Sequence, residues 1–311
     1  MKISVAICTW NRAALLAQTL AYLERLEIPA GQQWEVLVVN NRCTDDTDAV
    51  LRKFQRSLPL RRLYEERAGL SNARNCAVQH AQGDLMLWTD DDVRVGSQWL
   101  QSFGQASERH PQAAFFGGPI LPWFEGTPPR WLNDVVVHYG SAFALRDLGD
   151  SAAIVSEYRL PFGANFAIRT AVQRRFPYDA QLGRKGFAML GNDEISVLKA
   201  VLDSGGTGYW VPSAQVRHFI PRSRQTVGYL FRFFAGQGQV ESLLGGRPEV
   251  PLLLGRPRWL WRRLLEASAR YYAARFLSPP QVWSARLEEF ARTVGALRVR
   301  ADVASTAGSS S

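Results

Sequence analysis

Short apolar runs alternate with amphipathic stretches along the first 90 residues of the chain. The runs ISVAIC (3–8), WEVLVV (34–39) and DLMLW (84–88) predict strands, and LRRLY (60–64) precedes a third helical stretch. Between them, apolar residues recur at helical spacing, as in LSNARNCAVQHAQ (70–82). Strands that alternate with helices indicate βαβ units. The pattern therefore predicts an α/β fold, with a mostly parallel sheet covered by helices on both faces.

The pattern loosens after residue 92. A helix is predicted near 97–109, a loop over the Pro- and Trp-rich 121–134, and strands over 161–169 and 208–219. The stretch GNDEISVLKAVLDSGG (191–206) predicts a helix with Asn192 or Asp193 near its N-cap and Gly205 after its end. The chain is predicted to be helical from about 222 to 300, and 304–311 to be a disordered tail.

The composition is that of a globular protein with a sizeable core, since 46% of residues are hydrophobic and 21% charged. The first apolar run is too short for a signal peptide. No stretch reaches the roughly 18 apolar residues of a membrane span, so we expect a cytoplasmic location. The three cysteines lie far apart without CxxC spacing, which argues against a thiolate metal site.

The positive charge is concentrated at the C-terminal end. Residues 222–311 hold 14 Arg, no Lys and 6 acidic residues, a net charge of +8, whereas the first 221 residues carry +1. The segment 257–277 mixes Trp, Leu, Tyr and Arg at helical spacing. Such a helix can lie on an anionic membrane surface at the inner face of a membrane, or pack on the catalytic domain. No recognised motif accompanies the charge, so nucleic acid is not an expected partner.

Three carboxylates, Asp90, Asp91 and Asp92, follow the predicted strand 84–88. Ligands of open parallel sheets bind beyond the carboxyl ends of the strands. Carboxylates favour a hard cation, and Mg²⁺ usually combines one or two of them with substrate phosphates. The triplet therefore suggests a metal-bound diphosphate, although a solvated acidic turn is the simpler interpretation of three adjacent acids. Neither GxGxxG nor a P-loop is present to hold the phosphates.

Several ordered motifs then resemble one family. SVAICTWNR, EVLVVNNRCTDDT, AGLSNARNCAVQHAQGDLMLWTDDDV, PFGANFAIR and GNDE…VPSAQVRHF are similar, in order and spacing, to the family 2 glycosyltransferases, over residues 3 to about 220. The resemblance implies a GT-A fold, with a Rossmann-like sheet. It also implies a metal-dependent enzyme that transfers a sugar from a nucleotide diphosphate sugar to an acceptor hydroxyl with inversion, using Mg²⁺ or Mn²⁺.

The resemblance also implies roles for single residues. Contacts with the nucleotide sugar fall on Thr9, Asn11, Arg12, Asn40, Asn41, Arg74, Asp90 and Asp91. The two asparagines stand where the family usually has an acid that contacts the base, and an amide donates as well as accepts. Asp90 and Asp92 match the ribose- and metal-contacting acids of the DxD motif. Asp92 is assigned to the metal, and Asp91 could share either task.

The remaining roles concern catalysis and the acceptor. Asp193 matches the catalytic base, with Glu194 as its substitute, and His218 matches a residue that completes the metal shell. A lone histidine is more often structural, and an acid in the first turn of a helix is more often a partner of the helix dipole. Asn165 and Trp123 are the candidate contacts of the acceptor.

The implied organisation has a catalytic domain over 1–221, a basic helical region over 222–303 and the tail. The catalytic domain divides into a nucleotide-binding half (1–95) and an acceptor-binding half (96–221). The acceptor would be a glycan, a lipid-linked or a small molecule, in surface polysaccharide, glycolipid or secondary-metabolite assembly. Two alternatives remain open. One is a metal-dependent nucleotidyltransferase on a similar fold, and the other is a non-catalytic, membrane-associated relative.

Overall fold

The computed structural model describes residues 1–180, 193–245 and 250–299. The chain divides into two compact units. The first combines Met1–Trp123 with Ala144–Phe219, and the second combines Phe124–Phe143 with the chain from Ile220 onward. We predicted 124–143 to be part of the acceptor-binding half, but in the structure it packs in the second unit. The functional division of the chain stays a prediction, and its tail, 304–311, lies outside the described residues.

The strands and helices are numbered in chain order. The strands are β1 Lys2–Thr9, β2 Gln33–Asn40, β3 Leu60–Tyr64, β4 Leu85–Trp88, β5 Val93–Val95, β6 Phe115–Gly117, β7 Ile120–Phe124, β8 Ala153–Ile154, β9 Phe166–Arg169, β10 Gly208–Trp210, β11 Val216–Ile220, β12 Leu252–Leu253 and β13 Arg256–Pro257. The helices are α1 Ala13–Leu23, α2 Thr47–Phe54, α3 Leu70–His80, α4 Trp99–Arg109, α5 Arg130–Asn133, α6 Thr170–Arg175, α7 Asp193–Asp203, α8 Val227–Leu244, α9 Arg258–Leu277 and α10 Pro280–Leu297.

The first unit is built on a mixed sheet with the strand order β3-β2-β1-β4-β9-β6-β10-β8 among the described residues. Strands β3, β2, β1 and β4 are parallel, whereas β9 runs antiparallel between β4 and β6. The first strands are continuously apolar because both faces of the sheet are buried. On one face, the small Ala73 and Ala77 let α3 approach the sheet closely. The predicted α/β fold is confirmed.

The second half of this unit differs from the predicted elements. The predicted strand 208–219 is two strands in different sheets, because β10 pairs with β6 and β8 whereas β11 lies between β5 and β7. A turn around Pro212 separates them. Of the predicted strand 161–169 only β9 is extended. The predicted loop 121–134 contains the end of β7 and the short helix α5.

The second unit consists mainly of α8, α9 and α10, as the periodicity from residue 222 predicted, with a short β12–β13 hairpin between α8 and α9. Helices α8 and α10 pack closely through glycines. A Cβ at Gly295 would clash with the carbonyl oxygen of Ala235, and one at Gly238 with the backbone of Arg292. The segment 124–143 joins this unit, since Trp131 packs on Trp283 with ring centroids 5.3 Å apart. None of the helices in the described ranges is long and apolar enough to cross a membrane.

Candidate active site

The acidic triplet begins two residues beyond β4, where the sheet presents the carboxyl ends of its parallel strands. Asp91 is directed back into the protein. Its Oδ2 accepts a hydrogen bond from the Thr9 hydroxyl at 2.7 Å, and its Oδ1 accepts one from Arg12 at 3.1 Å. Burial and the charge of Asp92 raise the pKa of Asp91 to about 7, against the attraction of Arg12. Asp91 and Thr9, which we assigned to the nucleotide sugar, thus contact each other.

Asp90, Asp92 and His218 form a group in which one potential metal-ligand atom from each lies within 4.8 Å of the others. The tertiary fold brings His218 there, because β11 pairs antiparallel with β5 and places His218 opposite Val93. The Nε2 atom of His218 is 3.5 Å from Oδ1 of Asp92. Two oxygen ligands and an imidazole nitrogen are suited to a divalent cation.

Two buried atoms of this group lack a hydrogen-bond partner among the described residues, namely Oδ1 of Asp92 and Nδ1 of His218. Unpaired buried polar atoms are costly in a folded protein unless a ligand or an ion meets them. The other carboxylate oxygen of Asp92, Oδ2, accepts a hydrogen bond from Arg12 at 2.8 Å. The arrangement therefore fits a cation. Oδ1 of Asp92 has no hydrogen-bond partner among the described residues and would bind the cation, whereas Oδ2 is held by Arg12.

Asn11 and Asn40 shape the loops that follow β1 and β2. The Oδ1 atom of Asn11 accepts a hydrogen bond from the backbone N–H of Thr44 at 2.7 Å, and Oδ1 of Asn40 accepts one from that of Cys43 at 2.8 Å. Asn11 has a left-handed backbone with φ 52°, which asparagine tolerates better than most residues. The two side chains tie neighbouring loops together at the carboxyl ends of the strands.

Asn41 holds the loop after β3. Its amide nitrogen donates to the carbonyl oxygens of Glu65 and Arg67, and its Oδ1 accepts from the backbone N–H of Gly69 at 3.0 Å. Asn40 and Asn41 are both buried. These contacts give both side chains a structural role in the loops around the site, and the contact with the nucleotide base that we assigned to them stays a prediction.

Arg74 is buried within the first unit and forms ion pairs with two adjacent carboxylates. Its Nη1 atom lies 2.7 Å from Oδ1 of Asp193 and 3.1 Å from Oε2 of Glu194. The structure pairs Arg74 with the candidate base, and the contact with the nucleotide that we assigned to it stays a prediction. The side chain comes from α3 and the two acids from the first turn of α7, so the contact joins residues about 120 positions apart in the sequence.

The two acids in the first turn of α7, Asp193 and Glu194, have opposite pKa shifts. Burial raises the pKa of Asp193, but the charge of Arg74 and hydrogen bonds, one of them from Ser71, lower it overall. Burial raises the pKa of Glu194, and its hydrogen bond with Asp193 adds to this effect against the attraction of Arg74. The shifts favour an ionised Asp193 beside a Glu194 that keeps its proton more readily. Such divergent values are typical of acid and base sites.

Asp90, from the acidic triplet, and Asp193 both act electrostatically on Cys8 and on Arg74. Burial raises the pKa of Cys8, near the end of β1, and the charges of Arg74, Asp90 and Asp193 all act on this thiol. The charge of Asp90 also contributes to the raised pKa of Arg74. The structure thus brings the metal-capable group and the candidate base to one end of the sheet.

Asn165 is fully buried among protein groups. Its Oδ1 accepts a hydrogen bond from the indole N–H of Trp99 at 2.7 Å, and its amide donates to the carbonyl oxygens of Pro119 and Ala214. The folded chain thus uses the whole amide, which favours a structural role, and the acceptor contact that we assigned to Asn165 stays a prediction. A Cβ at Gly118 would clash with this amide and with Ala214, so the close approach needs glycine.

Trp123 is half-buried on β7. The guanidinium of Arg94 lies over its ring, 3.4 Å from the centroid, and the ring of Phe219 packs at 4.7 Å. Protein contacts therefore hold the indole, and its role as a platform for the acceptor stays a prediction.

Sequence reasoning missed the side chains that surround the candidate base. Ser71 donates to Oδ2 of Asp193 at 3.3 Å, and the backbone N–H of Gly163 donates to Oε1 of Glu194 at 3.2 Å. A Cβ at Gly163 would clash with the guanidinium of Arg74. One signal was available: α3 carries a lone arginine among small residues on its inner face, and a buried arginine needs an acidic partner.

Comparison with known proteins identifies the family. The model of the family described as "Glycosyl transferase family 2" matches residues 4–156. The succinoglycan biosynthesis protein ExoM of Rhizobium meliloti is 26% identical over 245 residues, which cover 76% of this chain and 74% of that protein. Validoxylamine A glucosyltransferase of Streptomyces hygroscopicus subsp. jinggangensis is 32% identical over 161 residues, which cover 51% of this chain and 38% of that protein.

A solved structure shares the fold. The mannosyltransferase PcManGT from Pyrobaculum calidifontis, in complex with GDP-Man and Mn²⁺, matches with a TM-score of 0.58 at 17% identity, over 95% of this chain and 86% of that one. These findings confirm the GT-A fold and the glycosyltransferase class that the motifs implied, and the chain belongs to glycosyl transferase family 2.

Proposed function

We propose that the enzyme transfers a sugar from a nucleotide diphosphate sugar to an acceptor hydroxyl with inversion, using Asp193 as general base. The observation that carries this proposal is the pairing of Asp193 with Arg74 at the end of the sheet that also holds Asp90, Asp92 and His218. Two related proteins support the donor class, since one is a glucosyltransferase by name and another contains GDP-Man.

The base step follows from the charges around Asp193. Arg74 lowers the pKa of Asp193, so this carboxylate is ionised at neutral pH and can accept a proton. Oδ1 of Asp193 lies 2.7 Å from Nη1 of Arg74 in this ion pair, and no other described residue donates a hydrogen bond to it. As the acceptor oxygen forms its bond to the anomeric carbon, its proton passes to Asp193. The bond from that carbon to the phosphate oxygen breaks, and the nucleoside diphosphate leaves with the electron pair.

The metal-capable group would hold Mg²⁺ or Mn²⁺ through Asp90, Asp92 and His218. Bound there, a divalent ion supplies Lewis acidity that offsets negative charge on the departing diphosphate. Arg12 holds the second oxygen of Asp92 in place and is half-exposed, so its guanidinium is also available to a donor phosphate. Asn11, on the same loop, stays a proposed contact of the nucleotide sugar.

The test combines ligand binding with turnover. Nucleoside diphosphates are screened by thermal shift with Mn²⁺, and the stabilising nucleotide identifies the donor. NMR then reads the anomeric configuration of the product. Asp193→Asn should abolish transfer while leaving the thermal shift with nucleotide intact. Asp203→Asn, at the exposed end of the same helix, is the matched control. Full turnover by Asp193→Asn, or a product with retained configuration, contradicts the proposal.

The acceptor is proposed to be a growing polysaccharide, a lipid-linked sugar or a small molecule, because the relatives named above act in succinoglycan biosynthesis or on validoxylamine A. A cytoplasmic location at the inner face of a membrane stays a prediction from the sequence.

A further inference from the structure

Large apolar side chains are exposed together in the second unit, at the β12–β13 hairpin and along α9. The hairpin carries three consecutive leucines, Leu252, Leu253 and Leu254, and the last is 72% exposed at the turn. On α9, Leu265 and Phe276 are 71% and 84% exposed. Scattered apolar side chains are normal on a protein surface, but a cluster of this kind marks an interaction site.

The exposed residues of α9 form a stripe. Leu265, Ala269, Tyr272 and Phe276 are separated by three or four residues, so their side chains lie on one face of the helix. The opposite face is packed, as Leu260, Ala267 and Tyr271 are buried. The stripe therefore faces away from the packed side of α9.

The hairpin lies beside the first turn of the same helix. The indole N–H of Trp261 donates to the carbonyl oxygen of Leu253 at 3.0 Å, and Arg256 donates to that of Leu254 at 3.1 Å. These contacts hold the turn so that the side chain of Leu254 projects outward. We call the three hairpin leucines and the α9 stripe the Leu–Phe surface.

The Leu–Phe surface belongs to a strongly basic segment. Helix α9 contains five Arg and one acidic residue, Glu266, a net charge of +4. Glu266 is already paired with Arg262 and Arg270, at 2.7 and 3.3 Å. Arg258 and Arg262 lie on or close to the line of the stripe, by their helical spacing. Apolar side chains flanked by arginines are complementary to an anionic lipid membrane, because the apolar groups can enter the acyl region and the arginines can contact the headgroups.

We propose that the Leu–Phe surface docks on an anionic lipid bilayer, with the leucines and Phe276 entering the boundary of the acyl chains and the arginines meeting lipid phosphates. A second copy of the chain is a poorer partner. A two-fold contact would place the same patch on both sides, and +4 would then face +4. This proposal concerns a surface and not the transfer reaction, so the inactive Asp193→Asn variant should dock as well as the wild type.

The experiment measures co-sedimentation of the full chain with vesicles. Vesicles of phosphatidylglycerol mixed with phosphatidylcholine should bind the protein at low salt, and vesicles of phosphatidylcholine alone should bind much less. High salt should weaken binding, because it screens the arginines. Replacing the two arginines on the line of the stripe, Arg258→Gln with Arg262→Gln, should weaken binding about 25-fold at low salt, from about fivefold for each basic residue near an anionic surface.

Apolar variants test the insertion. Leu252→Ser, Leu253→Ser and Leu254→Ser together should abolish binding, and Leu265→Ser with Phe276→Ser should reduce it at least tenfold. The matched control is Ile154→Ser with Tyr158→Ser, which removes two equally exposed apolar side chains from the first unit and should bind like the wild type. Circular dichroism and thermal unfolding verify that each variant is folded.

Three results would overturn the proposal. One is a wild-type protein that stays in the supernatant at low salt. Another is folded serine variants that bind as tightly as the wild type. The third is a wild-type dimer, seen by light scattering, that the serine variants convert to monomers without loss of vesicle binding. In that case the surface joins two copies of the chain.

Discussion

Arg74 is the residue whose replacement tests most of the reasoning about the site. In Arg74→Met the buried carboxylates of Asp193 and Glu194 lose the cation that lies 2.7 and 3.1 Å from them. Removing one partner of a buried ion pair costs about 3–5 kcal/mol, because the remaining charge stays out of water. For the roughly 200 residues of the first unit, this corresponds to a decrease in Tm of about 6–20 °C.

The loss should depend on pH in a defined direction. In the wild type the folded-state pKa of Asp193 is lowered, so its contribution to stability is present above the unfolded pKa and is lost as pH falls through the folded value. Without Arg74 both carboxyl groups take up protons more readily. Protonation then removes the uncompensated charge, and the difference in stability from the wild type should shrink as pH decreases from 7 towards 4.5.

Catalysis should change as well. A neighbouring opposite charge lowers a carboxyl pKa by about 1–3. In Arg74→Met, the pKa that governs the decrease of kcat on the acid side of its pH profile (the acid limb) should therefore rise by about that amount. The control is Arg169→Met. Arg169 donates to the backbone carbonyl oxygens of Ser107, His110 and Ala113, so its loss should reduce Tm without moving the acid limb.

A double-mutant cycle gives the sharpest result. Glu194→Gln removes one of the two carboxylates, so Arg74→Met should cost less free energy of unfolding in that background than in the wild type. The reasoning is refuted if Arg74→Met leaves both the stability and the acid limb unchanged. Additive free energies in the cycle would also refute it, since they would mean that Arg74 and Glu194 do not interact.

Three further predictions concern other parts of the molecule. Asp92→Asn should abolish Mn²⁺-dependent turnover and the thermal shift caused by Mn²⁺ while the ligand-free protein keeps a cooperative unfolding transition, and unchanged activity in EDTA would contradict a metal site. Asn165→Leu should destabilise the protein by about 2–6 kcal/mol in urea unfolding, because it leaves the Trp99 N–H and the Ala214 carbonyl buried without this amide; an altered KM for acceptor with unchanged stability would instead favour the original acceptor assignment. Gly295→Ala should destabilise by about 1–3 kcal/mol or more through a clash with Ala235, whereas Gly228→Ala, whose Cβ would only reach ordinary contact distance of the Arg232 side chain at 3.5 Å, should not.

The local pattern of the sequence determined the main elements and the position of the site. Alternating apolar runs and helical stretches placed β1, β2, β4 and α3 within a few residues of their observed bounds, because burial on both faces of a parallel sheet requires continuous apolar strands. The acidic triplet at the end of a predicted strand indicated a cation and a diphosphate from the chemistry of the residues alone. The motif resemblance supplied the family, which the comparisons confirm.

The tertiary structure decided which side chains meet. We assigned Asn165 to the acceptor, but helix α4 and the loops at Pro119 and Ala214 converge on its amide and leave no exposed surface. His218 reaches Asp92 through the antiparallel pairing of β11 with β5, and Arg74 reaches Asp193 from a helix about 120 residues earlier. Periodicity and composition are properties of neighbouring residues. Contacts at such separations depend instead on how whole elements pack, so no local pattern could predict that the lone arginine of α3 would compensate the candidate base.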